Sequence, residues 1–383
     1  MVEGPCYDYP DSEMTFLKRL AKAPGNRIRN LVGRYFIDSE LVEGTLKESQ
    51  RRLRLLYSGD ARFRAYFYGL VFDGPPIIVH RARVSMGGLT NVFGQPDFDV
   101  GVALIPHRNE PPLRGLYTYR GTQSVRQAVD ISSPWEEIVN QFSNKIVRTP
   151  RRIRQYGLSY RITNNQADLD LFYQHMYLPH VRKFGSSVVV DSCDDMKSWF
   201  GQGFLLLVLE GGSPIAGGLC MAETTGQTLV FQKIGVLNGD HENLRKGAQA
   251  ATYYFVLQHA KESGFRKVSF GYSPAFLNDG IFQHKAGWGA QASPYEKAKG
   301  SLLYFFPSDN PITLAFLAKN PVVVSAEDGT LQAVTGWTGS PEELTTAKTE
   351  IVRSYPTLGI RRFIIHSEAG HHVVEAQEAC ASS

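Results

Sequence analysis

The chain has 383 residues, more than the roughly 100–200 of one compact domain, so at least two domains are expected. Its residues are 43% hydrophobic and 20% charged, which excludes long disorder, collagen-like repeats and coiled-coil fibres. The net charge of +4 is too small to argue for a nucleic-acid partner by itself.

Residues 1–38 are mixed, with a short basic helix expected over Met14 to Ala23. Glu40 to Tyr57 reads as a helix, with Leu41, Leu46, Leu53 and Leu56 apolar among charged neighbours. The aromatic stretch Arg64 to Phe72 reads as a strand. A turn at Asp73-Gly-Pro-Pro76 leads to another strand, Ile77 to Val84. Val100 to Ile105 and Gly115 to Tyr119 complete a β-rich first half. Pro134 suits the first turn of a helix, which carries Trp135, Ile138, Val139, Phe142 and Ile146 and ends or kinks at Thr149-Pro150.

The second half reads more sharply. Leu158 to Ile162 is a strand and Asn165 to Lys183 a helix bent at Pro179. Asp194 to Phe200 is a short helix. Strands Phe204 to Leu209, Pro214 to Ala222 and Thr228 to Val236 follow, joined by hairpin-like turns. A helix from Asn243 to Ser263 stops at Gly264, and Phe265 to Tyr272 is the next strand. That β-α-β step should place two strands parallel and adjacent. From Val322 come a strand, an Asp328-Gly329 turn, a strand, a helix Pro341 to Tyr355 and a strand Arg361 to His366. These signals describe a small α+β appendage over 307–383.

The four cysteines, Cys6, Cys193, Cys220 and Cys380, show no CxxC spacing, which argues against a zinc knuckle or a disulfide scaffold. Cys220 reads as core. The acidic N-terminus has no apolar stretch of signal-peptide length, and Phe204 to Leu209 is far short of the ~20 residues that cross a bilayer. A soluble, cytoplasmic chain is the expectation. No GxSxG, Walker or HExxH pattern occurs. His371-His372 has no carboxylate or cysteine at metal-ligand spacing and reads as tail, so no metal site is expected.

Local charge is more informative than the total. Lys145, Arg148, Arg151, Arg152 and Arg154 place five cations within ten residues. Arg51, Arg52 and Arg54 form a smaller group. Guanidinium forks bind phosphate bidentately, so either group suits a phosphate-bearing partner or a solvated helix face. Arg245-Lys246-Gly247-Ala248 sits at a helix start, where backbone N–H groups and the helix dipole favour an anion.

The element order of the second half resembles the GNAT superfamily of acyltransferases, and within it the Fem-type peptidyltransferases. The stretches that carry the resemblance are Asn144 to Arg148 with Arg151 to Gly157, Phe172 to Met176 with Arg182-Lys-Phe-Gly185, Pro214-Ile-Ala-Gly-Gly218, and Phe265 to Gly271 with Phe282 to Gly289. They span about residues 135–305. The resemblance implies an α+β chain of two GNAT-like lobes, 1–134 and 135–306, each a mixed, mostly antiparallel sheet with helices on both faces, before the appendage. It implies transfer of an aminoacyl group to an amine acceptor, a natural product, an amino sugar or a cell-wall-type precursor. The donor would be aminoacyl-tRNA or acyl-CoA as co-substrate, with no prosthetic group. An acyl-CoA-dependent N-acetyltransferase and a non-catalytic binder of RNA or a phosphorylated glycan are the alternatives.

For the site, the resemblance implies that Lys285 faces the acyl-transfer centre, where an ammonium stabilises a developing oxyanion. The donor carbonyl would lie where Phe231 to Val236 and Val268 to Tyr272 splay apart. Arg245, Lys246, Gly247 and Ala248 would hold donor phosphate, and the run Arg148, Arg151, Arg152 and Arg154 a phosphate of donor or acceptor. Asp191, Glu223, His175 and His180 are the candidate bases. Tyr272 is the favoured tyrosine donor over Tyr253 and Tyr254. His284, on what reads as an extended segment, would point away from Lys285.

Overall fold

The computed structural model describes residues 36–95, 97–183, 190–224, 226–295, 300–355 and 358–376. The basic helix expected over Met14 to Ala23 and the turn at Gly185 lie outside them. The fold is mixed α+β and is built on two large sheets.

The first half is where pattern and structure part. Glu40 to Tyr57 is a strand pair, β1 (Phe36–Thr45) against β2 (Arg52–Ser58), and not a helix. Leu53, Leu55 and Tyr57 are fully buried, which is the period of two that a half-buried strand requires. Arg64 to Phe72 lies mostly within helix α1 (Ala61–Val71) instead of a strand. Phe63, Phe67 and Val71 are its buried residues, a spacing of four that outweighs aromatic β-propensity. Asp60 caps it by accepting from the N–H groups of Arg62 and Phe63.

β3 (Ile77–Ser85) and β4 (Val100–Pro106) stand as expected. β5 (Tyr119–Gly121) is short, and β6 (Ser124–Asp130) follows it. Two helices stand where one was expected: α2 (Trp135–Asn140) and α3 (Thr149–Gln155). Pro150 opens the second because its missing N–H would be an orphan there.

β7 (Leu158–Thr163) leads into α4, which runs from Gln166–Leu171 through a π-helical turn, Phe172–Tyr177, into Leu178–Arg182. The wide turn lies just ahead of Pro179, whose ring would clash with an ordinary i−4 carbonyl. After α5 (Cys193–Phe200) come β8 (Gly203–Glu210), β9 (Ser213–Ala222) and β10 (Thr228–Val236). The following helix is split at Gly247, φ +90°, into α6 (His241–Lys246) and α7 (Ala248–Glu262). β11 (Lys267–Pro274) and α8 (Gly280–Ala286) come next. The remaining elements are β12 (Gln291–Pro294), β13 (Gly300–Phe305), α9 (Pro311–Lys319), β14 (Val322–Ser325), β15 (Leu331–Gly336), α10 (Pro341–Arg353), β16 (Arg362–Ser367) and β17 (Gly370–Glu375).

Among the described residues the second sheet has seven strands in the order β12-β6-β11-β10-β9-β8-β7. β7 to β10 are antiparallel, and β10 and β11 are parallel across α6 and α7. Both faces are covered. Leu206, Val208 and Cys220 pack with α7, while Leu205, Leu207 and Leu219 pack with α4 and α5.

The first sheet runs β17-β16-β15-β14-β5-β13-β4-β2-β1-β3. The expected boundaries at 134 and 306 do not follow the sheets. β6 pairs with β11 in the second sheet, and β13 returns to pair with β4 and β5 in the first. Nor do residues 307–383 form a separate unit, since β14 to β17 extend the first sheet. No described helix is long and apolar enough to cross a membrane.

Candidate active site

Pairing of β10 with β11 covers only Thr228↔Lys267, Leu229↔Val268 and Val230↔Ser269. Beyond that the two strands separate. On its other side β10 slips register against β9 between Phe231 and Lys233, so Gln232 is a bulge residue. A bulge leaves its extra residue out of the ladder. Gln232 therefore has a ladder partner neither on β9 nor on β11. β11 slips register against β6 between Ser269 and Tyr272, around Gly271 with φ +72°.

Two cavities share Gln232 as a wall. One, of about 590 Å³, lies among Tyr177, His180, Lys233, Gln249, Tyr253 and His284. Its walls are α4, β10, α7 and α8. The other, of about 510 Å³, is bounded by Arg126, Glu223, Ser269, Gly271 and Tyr272. Gln232 thus stands between an apolar chamber and a more polar one.

Lys285 lies on α8, with Nζ donating to the carbonyl of Tyr272 at 2.6 Å. It is 7% exposed and lines neither cavity, so it meets the split through the β11 backbone. Burial pushes its pKa down to about 7, against the opposing pull of Asp279 and with a further push from Lys233. Asp279 is fixed on both sides. It caps α8 through the N–H groups of Ile281 and Phe282, and it accepts a 2.9 Å bond from Tyr66 of α1.

His284 is helical and not on an extended segment. Its ring meets Tyr253 edge-on at 5.0 Å and lines the larger cavity. Burial, and then Lys285, lower its pKa. Tyr253 is packed among Phe231, Phe270 and Trp288. Tyr254 turns away onto Trp135. Tyr272 is 48% exposed and rests on Tyr295 at 4.3 Å.

The candidate bases separate. Asp191 accepts from Tyr177 and from Lys233, each at 2.5 Å. Those two contacts tie the Asp191 carboxylate to α4 and to β10. Lys233 also lies 5.2 Å from the Trp199 ring centroid, and it is a site residue that sequence reasoning missed. The adjacent polar pair Gln232-Lys233 in a mostly apolar strand was the signal available. Glu223 is paired with Arg126, which also donates to Ser269. His180 is 5% exposed and lines the larger cavity. Burial and then Lys183 keep its pKa low. His175 is exposed and lies outside both cavities.

The expected donor-phosphate groups are brought partly together. Arg152 covers the head of α7: a Cβ placed on Gly247 would meet its Cδ at 3.2 Å. Lys145, Arg148, Arg151, Arg152 and Arg154 are all exposed, and none forms an ion pair with a described residue. Arg245 and Lys246 are instead tied to Glu242 and Glu210. In the smaller cluster Arg52 and Arg54 pair with Glu43, Arg54 also meets Asp97, and Arg51 donates to the Pro311 carbonyl. Arg52 and Arg54 are thus neutralised, while Arg51 meets a backbone carbonyl.

No family model matches the chain, and no curated protein sequence matches it. Solved structures do resemble it at low identity. FemX is 10% identical with TM-score 0.38, covering 69% of this chain and 83% of that one. L-PGS from Bacillus licheniformis is 10% identical with TM-score 0.35, covering 72% and 87%. A GCN5-related N-acetyltransferase from Sphaerobacter thermophilus is 11% identical with TM-score 0.30, covering 66% and 71%.

Proposed function

We propose that this protein is an acyltransferase that forms an amide bond, moving an aminoacyl group from aminoacyl-tRNA to an amine acceptor. The observation that carries the reading is the split between β10 and β11 with the Gln232 bulge at its apex, shared by two cavities. An acyl carbonyl seated in the split meets backbone donors left without ladder partners. Such preorganised donors stabilise the oxyanion of a tetrahedral intermediate.

The donor approaches along the larger cavity, past Lys233 and the head of α7. The five exposed cations from Lys145 to Arg154 track its phosphates. The acceptor amine enters from the smaller cavity, where Glu223, Arg126 and Tyr272 supply polar contacts. Lys285 acts as a positioning residue, holding the Tyr272 carbonyl and with it the far lip of the split. When the amine attacks, the new C–N bond forms, the ester C–O bond to tRNA breaks, and the amine proton leaves with solvent or with the departing hydroxyl.

A specific observation favours a second reading, an acyl-CoA donor: Arg152 lies directly over Gly247 at the start of a fifteen-residue helix. The test is transfer of label from charged tRNA and, separately, from acetyl-CoA to a panel of amines. Label leaving tRNA, with a drop of at least about tenfold in the Arg148/Arg151/Arg152/Arg154→Ala variant, supports the reading. The salt dependence of tRNA binding should also flatten, by about 0.7 in slope for each phosphate contact removed. Transfer from acetyl-CoA alone replaces the donor. Tight RNA binding with no transfer from either donor would overturn the enzyme.

A further inference from the structure

Away from the split, the first sheet brings two histidines of one hairpin together with an aspartate more than fifty residues earlier in the chain. His366 and His371 face each other as a register pair across the β16–β17 hairpin. Asp309, from the link between β13 and α9, reaches both. Its Oδ1 lies 2.7 Å from His366 Nδ1 and its Oδ2 lies 3.0 Å from His371 Nε2.

We propose that Asp309, His366 and His371 bind a divalent transition-metal ion, with zinc the ion this donor set fits. Two imidazole nitrogens and a carboxylate oxygen are borderline ligands of the kind zinc takes with a fourth position open. The candidate ligand atoms all lie within 4.8 Å of one another. Around a tetrahedral zinc with bonds near 2.0–2.1 Å, such atoms are about 3.3 Å apart. The two carboxylate contacts, at 2.7 and 3.0 Å, lie within 1 Å of that spacing.

The supports of the site are in place. His366 is 1% exposed, and its other nitrogen lies 2.7 Å from the Tyr119 hydroxyl. That outer contact fixes the ring and leaves Nδ1 for the metal. Next to Asp309, Asn310 is immobilised by capping α9. His371 is about half exposed, which leaves an entry path and a solvent-facing fourth position. His372 is offset by one residue on β17, so its side chain projects to the other face of the sheet. The bound ion would cross-link the C-terminal hairpin to the β13–α9 link.

The experiment uses the full chain purified without a histidine tag and stripped by chelator dialysis. Zinc is titrated against a chromophoric competitor, and cobalt(II) serves as the spectroscopic stand-in. One equivalent of zinc and cobalt ligand-field bands are expected. His371→Ala and Asp309→Asn should each weaken zinc by at least about tenfold, and Tyr119→Phe by about 10–100-fold. His372→Ala should bind as the wild type does. Circular dichroism of the stripped proteins checks folding, and the exposed His371 makes its variant the decisive one. Absence of stoichiometric binding, unchanged affinity in a folded His371→Ala, or equal loss in His372→Ala would overturn the site.

Discussion

A lysine amine whose folded pKa is about 7 changes charge where most proteins are assayed. In the unfolded chain the same amine titrates near 10.4. Between those values the unfolded state binds the extra proton, so stability rises with pH across the window. The penalty for the buried charge is felt in full below pH 7 and relieved above it. Lys285→Met removes this slope. Urea midpoints of the wild type should therefore climb relative to the variant from pH 7 to pH 10, and parallel curves would refute the depressed pKa. The residue scale also shows what one sequence can and cannot expose. The sequence singled out Lys285, but not that it lies on a helix, buried, with its ammonium on the Tyr272 carbonyl. Asp309 and His366 were not legible as a pair, because strand order, not spacing, brings them together over 57 residues.

At the scale of elements, a close fit joins β10 to the π-helical turn of α4. A Cβ on Gly235 would come within 2.6 Å of the Met176 carbonyl carbon and the Tyr177 nitrogen. Those atoms are backbone and cannot swing aside. Gly235→Ala should therefore cost about 1–3 kcal/mol as an overpacking change. It should also displace Tyr177 from Asp191 and Lys233. Denaturant unfolding measures the first effect, and a loss of transfer activity larger than the loss of folded protein measures the second. A neutral Gly235→Ala would mean that α4 is free to shift. The second half of the chain was readable because its strands are bounded by turn residues, and β8 and β9, covered on both faces, read as short continuous apolar runs. The first half misled because α1 is rich in aromatics that favour strands in isolation. Three buried residues at helical spacing, Phe63, Phe67 and Val71, decided its form.

For the molecule as a whole, the two sheets are tied by exchange. β6, from the first half, completes the second sheet between β11 and β12, and β13, from the second half, fills the gap between β4 and β5. Phe276, just past β11, packs in the core of the first sheet, and Tyr66 reaches Asp279. Residues 135–306 expressed alone would lack β6 and leave β13 without its partners. That fragment should be insoluble or molten by circular dichroism and proteolysis, while addition of residues 1–134 in trans restores protection only in part. A stable, cooperatively unfolding fragment would show that the exchange is dispensable. The lobes foreseen from sequence are real as sheets but not as contiguous segments, since no local signal reports which sheet a short strand will join.

The return of β13 has a consequence for the order of events during synthesis. β4 and β5 are made early, yet the strand that bridges them is complete only at Phe305. Until then both present unpaired edges of the kind that recruit other chains. The nascent protein thus passes through a long interval of exposure to self-association that its finished form conceals. Yield in cells should therefore depend on chaperone supply and elongation rate more than on the final stability of either sheet.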